Sequence, residues 1–149
     1  LTTNAYAAKR SIFDRLATLT GPGQRLDGIE VAYKYPGKYV TTRCIYGGGV
    51  TFVHADAAVD GREVLTLETA NIILCIRIVE RDLGDDDVRT ADAEAERIGD
   101  ILGEILTAEP GIAGGSSTTT FAGGTGDHQI TDDEVITVLA YQLTVSSYL

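Results

Sequence analysis

Two histidines, each close to an aspartate, are the side chains best suited to proton chemistry: His54 near Asp56, and His128 next to Asp127. Imidazole titrates near neutrality, so such a pair could act as a general base or, with a serine, as a hydrolytic triad. The serines do not support that use, because Ser11, Ser116, Ser117, Ser146 and Ser147 all lie outside a G-x-S-x-G elbow, which the chain lacks. A metal centre would need His, Cys and carboxylates at helical or knuckle spacing, and that spacing is missing. Asp85, Asp86 and Asp87 could offer oxygens to Ca²⁺ or Mg²⁺, but the central glycine and terminal glutamate of an EF-hand loop are absent. The segments Gly47-Gly48-Gly49 and Gly123-Gly124-Thr125-Gly126 lack the Lys-Ser/Thr of a phosphate loop and the strand-then-helix setting of a dinucleotide fingerprint. Tyr33, Tyr35, Tyr39, Tyr46 and Tyr141 fall on strand-like runs, where aromatics are favoured for cross-strand packing, and are expected as core or interface residues rather than a base-stacking platform. The expectation is a protein with no catalytic residue, cofactor or metal.

The elements that would position these residues are clearest between Glu68 and Leu106. Ala70, Ile72, Leu74, Ile76 and Ile78 alternate with Asn71, Ile73, Cys75, Arg77 and Val79, a period-two pattern with one wholly apolar face. Gly84 breaks this strand, and Asp85 to Asp87 offer an N-cap and first-turn negative charge. Val88, Ala91, Ala95, Ile98, Leu102 and Ile105 then form a helical stripe. Upstream, Asn4 is predicted to cap a helix reaching about Thr20, stopped by Gly21-Pro22-Gly23. Ile29 to Tyr35 alternates as a half-buried strand ended by Pro36-Gly37. A second strand is expected over Tyr39–Tyr46, broken by the three glycines, with a weaker one at Val50–Val53. His54–Val59 is predicted as an exposed loop, and Asp60-Gly61 as a hairpin-type turn. Residues 113–127, rich in Gly, Ser and Thr, are predicted as a mobile loop or an edge hairpin. The run from Asp132 to Val145 is apolar on both faces, which places a strand inside the sheet or under an interface. The predicted fold class is α+β: a mainly antiparallel β-sheet with an N-terminal helix and one long helix (about 87–107) packed on it, in a single domain over 1–149.

The chain of 149 residues carries a net charge of −10, which argues against non-specific nucleic-acid binding as its main activity. Residues 1–43 hold seven of the twelve Lys and Arg against three acids, whereas 98–149 hold seven acids and no Lys or Arg. A subunit that docks its basic side on a neighbour's acidic side would benefit from this polarity in specificity and association rate. Cys44 and Cys75 are expected as buried reduced thiols, with their adjacency left open. No signal peptide and no membrane span are expected, since the longest apolar stretch runs only from Ile72 to Ile76.

Several motifs, taken in order, carry a resemblance. They are the strand Gly28–Pro36 (GIEVAYKYP), a strand ending Ile45-Tyr46-Gly47, the long strand Glu68–Ile78, the helix Ala91–Leu106 after an acidic turn, a Gly-rich loop, and the C-terminal Ile136–Tyr141 (ITVLAY). In layout and hydrophobic register, over nearly the whole chain, this resembles the tail terminator (tail completion, head-to-tail joining) proteins of long-tailed bacteriophages. The resemblance implies a homohexameric ring without enzymatic activity. That ring would sit on the last ring of the tail tube, halt polymerisation and face the head connector. The partners implied are copies of the chain itself, the tail tube protein and a head-tail connector or head completion protein. Genomic DNA would pass through the channel without specific binding, and no membrane is involved. The implied location is the head-proximal end of the virion tail, after assembly in the host cytoplasm.

On that reading, ring contacts are expected between Arg43, Arg62 and Arg77 and the acids of 80–104, among them Glu80, Asp92 and Glu96. Docking to tube or connector is expected in the loops 47–61 and 111–127, with Phe52 and Phe121 as apolar anchors and His54 and His128 beside them. The alternatives are another head-tail connector or tail-tube subunit, a small non-viral binding module, or an enzyme using His54 or His128.

Overall fold

The computed structural model describes residues 2–37, 42–59, 63–81 and 84–149. In chain order the elements are α1 (Ala5–Ala17), β1 (Glu30–Ala32), β2 (Arg43–Val59), β3 (Glu63–Glu80), α2 (Asp85–Ala108), β4 (Thr118–Ile130) and β5 (Val135–Tyr148). The strands form one five-stranded sheet in the order β1-β2-β3-β5-β4. Every pairing is antiparallel except β1 with β2. This is the α+β class expected, with β3 central and β5 interior.

The alternation along β3 divides the molecule into two sides. Ala70, Ile72, Leu74, Ile76 and Ile78 are buried in one cluster with Ile12 and Leu16 of α1, Ile98 and Leu102 of α2, and Leu143 and Val145 of β5. Both helices therefore cover the same face. On the opposite face Cys44, Tyr46 and Cys75 form a smaller cluster with Ile73, Val138 and Ala140 at its margin. Part of that cluster lies under the segment after β1, where the Tyr35 ring meets Tyr46 edge-on at 5.3 Å and Arg77 Nη1 donates to the Gly37 carbonyl at 2.9 Å.

Four expectations are corrected. The three glycines do not break β2; they form a bulge between Gly47 and Val50, and the strand continues through His54 to Val59. The reason is steric. A Cβ at Gly47 would collide with the Tyr33 carbonyl and the Lys9 side chain, and one at Gly48 would press on Ile73 at 2.9 Å. Without those atoms the Lys9 ammonium reaches the Gly48 carbonyl at 2.9 Å and lies 4.4 Å from the Tyr33 ring centroid. Secondly, β1 is only three residues long and runs parallel to β2. Tyr33 leaves it to pack edge-on against Phe13 at 6.0 Å, before Pro36 removes a donor. Thirdly, α1 ends at Ala17 because the Thr18 and Thr20 hydroxyls bond back to the Arg15 and Ala17 carbonyls at 2.6 and 3.0 Å, an alternative to further helix. Fourthly, Gly84 is the N-cap of α2, so Asp85 to Asp87 serve the first turn through the helix dipole rather than as a side-chain cap. The strand start at Tyr39 and the Asp60-Gly61 turn lie outside the described residues.

Candidate assembly surfaces

The β2–β3 hairpin is longer than the sheet that supports it. Pairing of β1 with β2 ends at Tyr46, and pairing of β5 with β3 ends at Leu67 opposite Tyr148. Beyond that point Asp56–Val59 pairs with Glu63–Thr66 and no third strand, a two-stranded ribbon extending about 13 Å at ordinary strand rise. An isolated hairpin is marginal in water. At the base of the ribbon Phe52, Val53, Tyr148 and Leu149 expose apolar surface, and the Leu149 N–H donates to the Thr66 carbonyl at 2.9 Å. The expected loop 47–61 is thus an ordered strand over its described part, and Phe52 is an exposed side chain on it.

His54 faces inward at the ribbon's base. Its Nε2 lies 2.7 Å from Glu68 Oε2, whose other oxygen accepts the Asn4 N–H at 3.0 Å. Burial alone would raise the Glu68 carboxyl, but hydrogen bonds from Thr3, His54 and the Asn4 backbone, with the His54 charge, outweigh it and hold the group below its ordinary range. His54 therefore ties the hairpin to the start of α1.

The residues expected at ring contacts are distributed differently from the expectation. Arg43 Nε lies 3.0 Å from Glu94 Oε1, so its pairing with the 80–104 acids occurs inside one chain, and Arg97 shares the same carboxylate. The Glu94 carboxyl is lowered by the Arg97 hydrogen bond first, against a burial penalty, with the Arg43 and Arg97 charges adding. Arg77 is only 5% exposed, with its guanidinium 5.6 Å from the Tyr35 ring centroid, so it is a packing residue of the sheet rather than a presented charge. Arg62 lies outside the described residues. Asp92 accepts from Thr137 Oγ1 at 3.2 Å and meets His128 Nε2 at 2.7 Å, which binds α2 to β4 and β5. Glu80 is half-buried at the end of β3, and Glu96 is exposed on α2.

Phe121 and the Gly-rich segment form no loose loop. β4 is an edge strand paired with β5 along its length, with one bulge between Phe121 and Gly123. The Phe121 ring packs against Tyr141 at 4.9 Å, facing α2. Cavities of about 750 and 240 Å³ follow α2 along β4. The first is lined by Gly99, Asp100, Gly103, Glu104, Phe121 and Tyr141; the second by Asp92, Glu96, Gly126 and His128 among others. Missing side chains make this groove. A Cβ at Gly99 would collide with the Tyr141 hydroxyl, and one at Gly124 would lie 2.5 Å from the Ala140 carbonyl. Burial, then the charges of Asp100 and Glu96, push the Tyr141 hydroxyl up.

At the other edge of the sheet Tyr33, beside α1, is 41% exposed and Tyr35, on the opposite face against Tyr46, is 57% exposed; Tyr6 of α1, which the sequence did not single out, is 54% exposed, and Arg10 and Lys34 are exposed as well. The spacing of Tyr6 and Arg10, four apart and off the apolar stripe of α1, is the signal that could have found them.

Each histidine meets one carboxylate at 2.7 Å, His54 with Glu68 and His128 with Asp92, and no group of three His, Cys, Asp or Glu among the described residues could hold a metal. Cys44 and Cys75 are free and buried, and burial pushes the Cys44 thiol up to about 11, which leaves it little thiolate for reaction. Among the described residues no helix is long and apolar enough to cross a membrane.

No family model matches the chain, and no curated protein matches it. Among solved structures it is similar to a chain described as "Virion of native gene transfer agent (GTA) particle", at 14% identity and a TM-score of 0.42, covering 93% of this chain and 94% of that one.

Proposed function

We propose that this chain is a structural virion protein of a phage-like particle, a tail terminator whose copies form a ring on the end of the tail tube and join it to the head connector. The observation that carries the reading is the β2–β3 ribbon, which extends past β1 and β5 and has the exposed apolar side chains Phe52 and Val53 at its base. A two-stranded ribbon gains little stability alone, so its length makes sense where an adjoining ring covers it. The layout resemblance to tail terminators over nearly the whole sequence supports the same role. So does the net charge of −10, which would let DNA pass a channel without being gripped. The reading assigns the chain no reaction, cofactor or metal. Its partners are its own copies, the tube protein and the connector, at the head-proximal end of the tail.

Electron microscopy of the purified protein tests this. Single or paired rings are expected, and rings should cap tubes when mixed with the tube protein. Long tubes from the purified chain would instead assign it as a tube subunit. Isolated monomers at every concentration would return it to the class of small binding modules. Replacement of His54 and His128 by alanine, with ring formation and capping retained, would remove the enzyme alternative.

A further inference from the structure

The groove between α2 and β4 has an apolar floor, two aromatic rings and a rim of carboxylates. Phe121 and Tyr141 form the floor, Gly99 and Gly103 keep α2 from filling it, and Asp100 with Glu96 stands exposed along the helix. Glu104 on the same rim is neutralised by Arg25, but Asp100 and Glu96 make no ion pair with a described residue. An occupant must therefore bring an apolar or aromatic side chain together with positive charge.

The opposite edge of the same sheet presents that combination. α1 packs over β1, β2 and β3, and α2 over β3, β5 and β4, so the outer flank of α1 and the groove lie at opposite ends of the strand order. On the α1 flank Tyr6 is 54% and Tyr33 41% exposed, the Lys9 ammonium sits over the Tyr33 ring, and Arg10 and Lys34 make no ion pair with a described residue. Tyrosine and arginine are the residue types that most often anchor interfaces.

We propose that the α2–β4 groove receives the α1–β1 edge of a second copy of this chain, Tyr6 entering over Phe121 and Tyr141 while Arg10 and Lys34 face Asp100 and Glu96. The contact is heterologous, because the two complementary surfaces are different parts of one chain. Repetition of such a contact closes into a ring when the rotation between copies permits. The inference rests on the ring-forming reading above and assigns its subunit contact. It replaces Arg43 and Arg77, which the fold uses internally, as the cationic side.

Charge reversal with rescue tests it, read by sedimentation velocity on the full chain. Arg10→Glu alone and Asp100→Arg alone should each weaken assembly at least about tenfold, since like charges brought face to face oppose association. Equal mixing of the two variants should restore assembly, because the reversed edge of one variant then meets the reversed groove of the other, and unaltered edges meet unaltered grooves. A variant that had merely lost its fold would not be rescued by mixing. Single variants that assemble at the wild-type concentration, or folded variants that mixing fails to rescue, would overturn the surface assignment while leaving the wild-type ring standing. A wild-type chain that forms no ring would overturn the functional reading and this contact with it.

Discussion

A carboxylate only 1% exposed survives at Glu68 because two other segments converge on it: Thr3 and Asn4 at the start of α1, and His54 from β2. Burial works against the charge, and these donors outweigh it, so the folded carboxyl lies below its reference value of 4.5. The sign follows from proton binding. As pH falls toward that value the unfolded chain binds a proton that the folded chain still refuses. The stability contributed by Glu68 is therefore fully present above the unfolded pKa and lost as pH drops through the lower folded one. Glu68→Gln should cost about 1–3 kcal/mol at neutral pH, the usual range for disrupting a buried polar partner. It should also flatten the acid limb of stability. Urea midpoints for both proteins between about pH 6 and pH 3 read this directly; parallel acid limbs would show that Glu68 is not the group being titrated. Because His54 shares this site, it serves the hairpin's attachment, a role the His54–Asp56 proximity in sequence does not reveal. The carboxylate that matters lies fourteen residues away across the hairpin.

At the scale of elements, β3 and α2 are legible because their patterns are strong: a clean period of two over 70–79 and a three-and-four stripe over 88–105. β4 is not, since Gly123, Gly124, Gly126 and Asp127 are residue types depleted in strands and offset the strand preference of Thr118 to Phe121; the segment becomes a strand because β5 offers it a full register of backbone partners. β2 reads as too short for a related reason. Glycine looks like a breaker locally, but here the hydrogen in place of a side chain at Gly47 and at Gly48 makes room for Lys9, Tyr33 and Ile73, which only the tertiary arrangement shows. The groove is hidden because it consists of absent side chains on two elements far apart in sequence. For the hairpin, the ribbon's overhang gives a prediction. Replacing residues 56–66 with Asn-Gly would close a two-residue turn on the Ala55–Leu67 pair, whose backbone groups face each other across the hairpin because the Thr66 carbonyl faces Leu149. The core lies beyond Leu67, so thermal unfolding should move by no more than a few degrees, roughly the effect of 1 kcal/mol or less, and rings should persist in micrographs. Capping of tail tubes should be lost. Tubes capped as well by the shortened protein would remove the ribbon from the docking surface.

At the scale of the whole molecule, two electrostatic effects oppose each other, and their ranges decide which wins. A chain of this length has a radius of gyration of about 15 Å, hence a diameter of about 40 Å. At about 0.01 M salt the Debye length is about 30 Å, so a neighbouring copy experiences most of the net −10 and is repelled. At about 0.1 M it falls to about 10 Å, and an approaching copy responds mainly to the facing edge: Arg10 and Lys34 on one side, Asp100 and Glu96 on the other. At about 1 M, with a screening length near 3 Å, that local attraction is weakened too, leaving the tyrosines and the apolar floor. If the ring forms by this edge-to-groove contact, assembly should strengthen from the lowest salt to about 0.1 M and then decline, giving a maximum in a sedimentation series at fixed protein concentration. Asp100→Arg should abolish the descending part of that curve, because the local attraction is gone, and make the rising part shallower, because the reversal takes the net charge from −10 to −8. Assembly that rises with salt and never declines would place the contact on an uncharged surface instead. The exposed face carrying Ile73, Val138 and Ala140 would then be the part of the molecule that meets the next copy.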